Sequence, residues 1–545
     1  TSGTASTLFT RTNDSRDTDA DVRRARPMKF GLALALSVGA GAVTVFGFAP
    51  FYFALLPIVS LATLFWLWQR AAQPRTAAAL GFAFGAGLFG AGASWVYIAL
   101  ETFGGMPAPI AFVGTASWVA LLSLWPALAG WVATRFTRRE SGARALSAAG
   151  AWTLTEWLRG FGYTGFPWLS IGYAELLPSG ATPLAGFAPV GGVFLVSLTV
   201  ALCAAALTVA ISRLADGVPR TSAVCAMAIV AFFAGGALLA RHSWTTSFGG
   251  PLAVSLVQGN VAQTLKFDPD FREQNFALYT ALARKARGRL VVLPESAFPV
   301  FADEVPEAVL QQLVDIGGAR DGDVLFGLFT LDPPLPGGDG PRYYNSVVSL
   351  GTSSPQLYRK HHLVPFGETI PAKPIVGWLI NRVLAIPLAD QTPGPANPAP
   401  FAVAGQRVAV NICYEDAFGA ELIVAARAAT MLVNVTNDAW YGRSIAARQH
   451  NQIAAMRALE TGRPMLRATN TGITSAIGYD GRVLAELPWF ERGILEVELA
   501  GRQGDTPYVR WGDSVALGLA FLFLATAVWS ARRARRNLPS GLPPR

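Results

Sequence analysis

Arg407-Val408-Ala409-Val410-Asn411-Ile412-Cys413-Tyr414-Glu415-Asp416 is a short apolar, β-branched run that ends on a cysteine and two carboxylates. Followed by the amphipathic stretch 417–428, it predicts a strand, a turn and a helix. The turn sets Cys413 at the end of the strand, where a thiol can be presented to a ligand. A thiol of ordinary pKa about 8.5 needs a base or a cation beside it to attack at neutral pH, and the start of a helix helps. The four histidines, His242, His361, His362 and His450, lie in no cysteine-protease context, so a carboxylate is the better candidate base. A lone cysteine is more often inert core, and the reading therefore depends on what other strand ends supply.

Moving outward, residues 252–500 alternate short β-rich runs with helical ones, the pattern of an α/β domain. Strands are expected at 252–258, 290–293, 324–330, 344–350, 407–412, 431–436, 465–469 and 473–479, and helices at 270–287, 305–316, 417–428 and 445–461. Glu295 ends the run Leu290 to Leu293, and Lys360 ends the β-like run Gln356 to Arg359. Each alone reads as a solvated cap. Together, three strand ends bearing a carboxylate, an ammonium and a thiol are a chemically matched set. Pro/Gly-rich loops interrupt the domain at 332–341 and 387–400. The apolar loop 363–400, with Phe366, Ile370, Trp378 and Leu379, marks a lipid or partner contact.

The rest of the chain is different. Apolar runs at 30–48, 51–69, 77–99, 109–134, 145–159, 186–212, 222–240 and 514–530 are mostly near the roughly 20 residues that cross a bilayer. With the N-terminus inside, the inward loops 70–76, 135–144 and 213–221 hold eight arginines, whereas the outward loops 49–50, 100–108 and 160–185 hold no Lys or Arg. Cytoplasmic loops collect such residues, and Arg532, Arg533, Arg535 and Arg536 after the last run should be inside too. Residues 241–513 are then expected on the outer side. Glu156 and Arg159, three apart on one helix face, read as an interfacial ion pair with Arg159 reaching toward water.

Composition agrees. The chain is 52% hydrophobic and 14% charged, which excludes a disordered or simply soluble protein. Residues 251–500 hold 21 Lys/Arg against 24 Asp/Glu, so the formal charge of +9 resides in short segments beside apolar runs. Nucleic acid is excluded as a partner on that ground. Three cysteines, two of them (Cys203 and Cys225) inside apolar runs, give no disulfide framework. The expected organisation is a polar, disordered leader at 1–27 with Met28 a candidate start, a seven-span membrane part at 28–245, a catalytic domain at 246–505, and an eighth span with a basic cytoplasmic tail at 506–545.

The segments Leu293-Pro294-Glu295-Ser296, Tyr358-Arg359-Lys360-His361-His362-Leu363-Val364-Pro365-Phe366-Gly367-Glu368 and Asn411-Ile412-Cys413-Tyr414-Glu415-Asp416, in that order, resemble the nitrilase superfamily. With Asn434-Val435-Thr436-Asn437-Asp438-Ala439-Trp440-Tyr441-Gly442 and with spans containing Gly165-Phe166-Pro167-Trp168, the resemblance narrows to the apolipoprotein N-acyltransferase family, over about residues 30 to 530. It implies a membrane α-helical bundle of about eight spans plus an extracytoplasmic α/β nitrilase-like αββα sandwich. It also implies a multi-pass protein of the bacterial inner membrane with its catalytic domain on the periplasmic side.

The implied reaction moves a fatty acyl chain from a phospholipid, usually phosphatidylethanolamine, through a Cys413 thioester to the N-terminal amine of a diacylglyceryl-cysteine lipoprotein. Glu295 would be the base, with Lys360 and the Tyr414 N–H holding the oxyanion. Glu368 and Glu415 would position Lys360 and the thiol, Trp440 and Arg463 would shape the pocket, and no cofactor or metal is called for. Where the family often has Trp, this chain has Phe267, so an aromatic wall is kept without an indole N–H. Loop 363–400 would form a lid. Two rivals stay open: a membrane-tethered amidase that passes the thioester to water, and a transporter or receptor whose outer domain only binds.

Overall fold

The computed structural model describes residues 28–161, 165–334, 336, 340–365, 367–369 and 390–536. The expected leader at 1–27 and most of the apolar loop, including Phe366, Ile370, Trp378 and Leu379, lie outside the described residues. Each of the eight apolar runs coincides with a helix: Phe30–Thr44, Leu56–Arg70, Pro74–Gly92, Ala108–Arg135, Gly142–Leu158, Ala188–Ala215, Pro219–Ala240 and Ser514–Arg536. Among the described residues five stretches are long and apolar enough to cross a membrane, or six if Pro74–Gly92 and Val96–Phe103, bent by 59°, count as one. Leu56–Arg70 and Gly142–Leu158, at 15 and 17 residues, are shorter than the roughly 20 residues a bilayer asks for.

Small residues let these helices touch backbone to backbone, as packing in lipid requires. A Cβ at Gly87 would collide with the Val38 carbonyl oxygen, and one at Gly150 with the Ala520 carbonyl oxygen. The second contact brings the last helix back onto the helical bundle that precedes the α/β domain.

A small hairpin, β1 (Leu176–Leu177) and β2 (Gly180–Ala181), lies between the helices. The domain that follows is built on two six-stranded sheets. The first contains β3 (Thr246–Gln258), β4 (Leu290–Val292), β5 (Asp323–Asp332), β6 (Arg342–Gly351) and β7 (Gln356–Arg359). The second contains β8 (Phe401–Val403), β9 (Gln406–Ile412), β10 (Met431–Thr436), β11 (Met465–Thr469), β12 (Ser475–Ile477) and β13 (Val483–Glu486). β14 (Gly493–Gln503) returns to pair with β3, giving orders β14-β3-β4-β5-β6-β7 and β13-β12-β11-β10-β9-β8.

The layering follows from the two-residue period of strands. Leu290, Val292 and Leu325 share an apolar core with Val433 and Leu466 of the second sheet. Their neighbours Val291, Leu293, Val324 and Phe326 face the other way, onto Phe276, Tyr279, Leu313 and Ile316 of helices Arg272–Lys285 and Glu307–Gly318. Helices Gly419–Ala426 and Ala446–Thr461 cover the second sheet. Strands buried on both faces carry unbroken apolar runs, which made them visible in the sequence. β8, β13 and β14 are not among the expected strands, because β8 and β13 are short and β14 is only half-buried, with Glu496 and Glu498 interrupting its apolar run.

β3, β4 and β5 are parallel, and so are β9, β10 and β11. β7 is antiparallel to β6, which is antiparallel to β5, so β7 points the same way as β4. The ends of β4, β7 and β9 therefore present Glu295, Lys360 and Cys413.

The helix Ala446–Thr461 joins this domain to the membrane part. Gln449 Oε1 accepts from the indoles of Trp95 at 3.2 Å and Trp168 at 2.7 Å, and its Nε2 donates to the Gly92 carbonyl at 3.2 Å. Gln452 accepts from Ala49 N at 3.0 Å and donates to Leu176 O at 2.8 Å. Ala188–Ala215 breaks at Gly191 and Gly192, and where it resumes Glu460 accepts from Val193 N at 2.6 Å, a carboxylate at a helix start. Gly192 has φ +69 and lies against the Tyr508 ring, which leaves no room for a Cβ.

Glu156 and Arg159 correct the expectation of an interfacial pair reaching toward water. They are 5% and 2% exposed. Glu156 Oε1 accepts from Trp152 Nε1 at 3.1 Å and Ile171 N at 2.8 Å, and Arg159 donates to the Trp168 carbonyl and to Ser170 Oγ. The two charges tie down the 165–171 segment.

Replacing Gln449 by Leu would leave the Trp168 indole N–H buried without its acceptor, a loss of about 1–3 kcal/mol. The thermal unfolding midpoint of the Gln449→Leu protein in detergent is expected to fall, while its helical circular dichroism at room temperature stays unchanged.

Candidate active site

Glu295 sits just beyond β4, and its backbone lies directly on β5 because residue 327 is glycine. A Cβ there would collide with Ser296 N. Asn345 Nδ2, from β6, donates to Glu295 Oε1 at 2.7 Å. Lys360 is fixed through its backbone, N–H to the Asn345 carbonyl at 2.8 Å and carbonyl from Gly394 N at 2.7 Å. Its ammonium is 2.7 Å from Glu368 and 3.8 Å from Glu295 Oε1, with 1% of the side chain exposed. Burial alone would push this ammonium's pKa down, but Glu368 and then Glu295 outweigh it and hold it above the ordinary lysine range.

Cys413 closes β9 with φ +54, a left-handed conformation that costs a residue with a Cβ roughly 1–2 kcal/mol. Its carbonyl is held by Asn434 Nδ2 at 3.0 Å and by His450 Nε2 at 3.2 Å, which secures the sharp turn. The side chain is more enclosed than a thiol at a turn suggests, at 8% exposure. Burial, then the charge of Glu295, pushes the thiol well above its ordinary pKa, and Lys360 acts against them. The resting group is a thiol rather than a thiolate, so a nearby base is needed to make it a nucleophile.

Glu415 binds the two sheets together at this end. Its carboxylate accepts from Ile412 N at 2.6 Å, Tyr358 Oη at 2.7 Å, His361 N at 2.7 Å and His362 N at 3.1 Å. Burial raises its pKa, with Lys360 and these donors opposing. Glu368, besides Lys360, accepts from Val364 N at 2.9 Å. Tyr414 donates its hydroxyl to the Gly165 carbonyl and stacks on Trp168 at 6.3 Å, so the turn after Cys413 rests on a membrane-side segment.

Phe267 faces Phe329 at 6.4 Å, and Phe301 faces Phe329 at 6.3 Å, giving an aromatic wall. Trp440 packs on Phe103 at 6.1 Å, and Tyr441 on Trp95 at 4.6 Å, at the junction with the bent pair of helices. Arg463 does not join this set. It donates to Ala429 O at 2.8 Å and Thr461 O at 3.0 Å, ahead of β10 at the opposite end of the sheet, because the Gly462-Arg463-Pro464 turn leads into the start of β11.

Sequence reasoning missed Lys266 and Asn345. Lys266 is buried and donates from Nζ to the Glu295 carbonyl at 2.9 Å. Burial lowers its pKa to about 8, against the pull of Glu295 and Cys413. A lysine in a short helical turn carries no mark in the sequence that would set it beside Glu295. Among the described residues no group of three or more His, Cys, Asp or Glu is placed to hold a metal ion.

A raised thiol pKa has a direct readout. Near neutral pH, chloroacetamide should label native Cys413 at least about tenfold more slowly than a cysteine peptide, because the thiolate fraction falls tenfold when a pKa rises by one. An equal rate would reveal a preformed thiolate.

Residues 40–206 match the family model described as the apolipoprotein N-acyltransferase N-terminal domain, and residues 253–508 match the carbon-nitrogen hydrolase model. The apolipoprotein N-acyltransferase of Nitrosomonas europaea is 45% identical over 496 residues, covering 90% of this chain and 97% of that protein. That of Chromobacterium violaceum is 40% identical over 508 residues, covering 93% and 96%. That of Ralstonia nicotianae is 42% identical over 506 residues, covering 91% and 92%. A helical membrane part joined to a domain that carries a thiol, a carboxylate and an ammonium at neighbouring strand ends thus has full-length relatives of one kind, and the chain belongs to the apolipoprotein N-acyltransferase family as an N-acyltransferase enzyme with a carbon-nitrogen hydrolase domain.

Proposed function

We propose that the protein transfers a fatty acyl chain from a phospholipid, with phosphatidylethanolamine as the expected donor, to the N-terminal amine of diacylglyceryl-cysteine in lipoproteins. The observation that supports this reading is the Lys360 ammonium 3.8 Å from Glu295 at one sheet's strand ends, with Cys413 closing β9 of the facing sheet in a turn that rests on Trp168 of the membrane part.

Glu295 takes the proton of Cys413, and the sulfur attacks the ester carbonyl carbon of the donor. The carbonyl π electrons move to oxygen, and Lys360 with the Tyr414 N–H receive that oxyanion. On collapse the C–O bond breaks, the proton on Glu295 goes to the departing lysophospholipid oxygen, and a thioester remains. The lipoprotein's neutral amine attacks the thioester, Glu295 removes the amine proton, and it returns to sulfur as the C–S bond breaks. Glu368 and Glu415 hold Lys360 and the backbone around the thiol during both halves, and Phe267 and Trp440 line the approach of the acyl chain.

In this reading all eight helices cross the bilayer, residues 28–245 form seven spans, residues 246–505 the catalytic domain and residues 506–545 the last span and tail. The eight inward arginines and the arginine-free outward loops support a periplasmic domain in the bacterial inner membrane. Loop 363–400, leading directly from Lys360, serves as the lid over the acyl chains.

Purified protein mixed with phosphatidylethanolamine is expected to gain one acyl mass on Cys413 by mass spectrometry, with release of lysophospholipid, and Cys413→Ser to gain none. Glu295→Gln should acylate at least about a hundredfold more slowly, and Lys360→Met about a hundred- to a thousandfold. Rapid turnover to free fatty acid without an amine acceptor would make the enzyme a hydrolase instead.

A further inference from the structure

Behind the nucleophile lies a closed group of four charges that the reaction above does not use. His450 Nε2 is 2.9 Å from Asp416 Oδ1 and 3.2 Å from the Cys413 carbonyl oxygen, and Nδ1 is 2.8 Å from Asp438 Oδ1. Arg467 completes the ring, donating to Asp416 Oδ2 at 3.1 Å and Asp438 Oδ2 at 3.0 Å. All four side chains are 1% exposed or less. They come from four elements: the turn after β9, the turn after β10, helix Ala446–Thr461 and β11.

Both ring nitrogens of His450 face oxygen acceptors. A neutral imidazole would aim a lone pair at a carboxylate oxygen, so this arrangement asks for a hydrogen on each nitrogen. The doubly protonated ring also balances the group, two carboxylates against two cations, which is what burial of charge demands. Removing that proton would leave one net negative charge beneath the thiol and the oxyanion position, where Asp438 already opposes ionisation of Cys413.

We infer that His450 is a positioning residue kept as an imidazolium, which holds the Cys413 carbonyl, and so the direction of the Tyr414 N–H, while with Arg467 it cancels the charges of Asp416 and Asp438. The inference rests on the reading of Cys413 as the nucleophile. It differs from a protease-type histidine, since the ring touches the cysteine's carbonyl and takes no proton from its sulfur.

The groups facing His450 are Asp416 and Cys413 from one turn, Asp438 from another, Arg467 from β11, and the ring of Trp168 at 5.3 Å from the membrane part. Burial and Arg467 pull the imidazole's pKa down, and Asp416 and Asp438 outweigh them and raise it to about 9. Its folded pKa lies above the ordinary value of 6.5, so the contribution to stability is complete below 6.5 and is lost as pH rises through about 9.

The test uses the full chain in detergent or nanodiscs. Nitrogen-15 spectra of the wild-type protein, which has 4 histidines, should show His450 as an imidazolium at neutral pH and converting near pH 9. A neutral ring at neutral pH overturns the inference, and this measurement needs no variant to fold. His450→Gln should slow both chloroacetamide labelling and phospholipid acylation of Cys413 about tenfold or more, as the uncancelled negative charge lifts the thiol's pKa further.

The double variant D416N/H450Q removes one charge of each sign and should recover most of the lost labelling rate. If it labels no faster than His450→Gln, the role is packing and the charge argument fails. Wild-type protein that never forms an acyl-enzyme, yet shows this labelling pattern, would sink the proposed reaction and leave the inference standing. Normal acylation that His450→Gln leaves unchanged would do the reverse.

Discussion

The Lys360 ammonium is buried, and a buried cation without a partner costs several kcal/mol. That single constraint orders the site. It requires carboxylates within reach, and Glu368 and Glu295 meet it from two directions. Glu295 is in turn steadied by Asn345 and backed by Lys266. The carboxylates and the ammonium are thus mutually dependent: in a site this enclosed neither sign of charge can stand alone.

The second requirement is geometric. Glu295 and Lys360 belong to one sheet and Cys413 to the other, so the spacing of the sheets also sets the spacing of the carboxylate and the thiol. Glu415 controls it, because its carboxylate accepts from the strand end at Ile412 and from Tyr358, His361 and His362 across the gap. A carboxylate saturated by donors has little left for proton transfer, which separates its role from that of Glu295. The left-handed Cys413 is tolerated because its carbonyl has two donors waiting.

What was legible in the sequence had a local cause. Strands buried on both faces showed as unbroken apolar runs, and the three reacting side chains stood at the ends of such runs. β13 was illegible because it is only four residues long, and β14 because a half-exposed strand carries polar residues, Glu496 and Glu498, between its apolar ones. Arg463 lies away from the thiol, and its place after an Ala-rich helix says nothing of which end of the sheet the turn occupies. Glu156 and Arg159 were placed on one helix face, but their burial depends on the 165–171 segment folding back over them. The Asp416, Asp438, His450 and Arg467 group has no spacing at all; only the fold of two turns, a helix and a strand assembles it.

Both ends of the catalytic domain are moored. Its entry follows helix Pro219–Ala240, and its exit passes Thr506, which donates to the Glu460 carbonyl, and Tyr508, lodged against Gly192, before helix Ser514–Arg536 lies on Gly150. A chain without residues 514–536 would keep the Gln449, Glu460 and Thr506 contacts but would lose the helix that closes over Gly150. The last helix is thus a late clasp, whose packing on Gly150 ties the exit of the α/β domain to the same bundle that its Gln449 and Glu460 already grip.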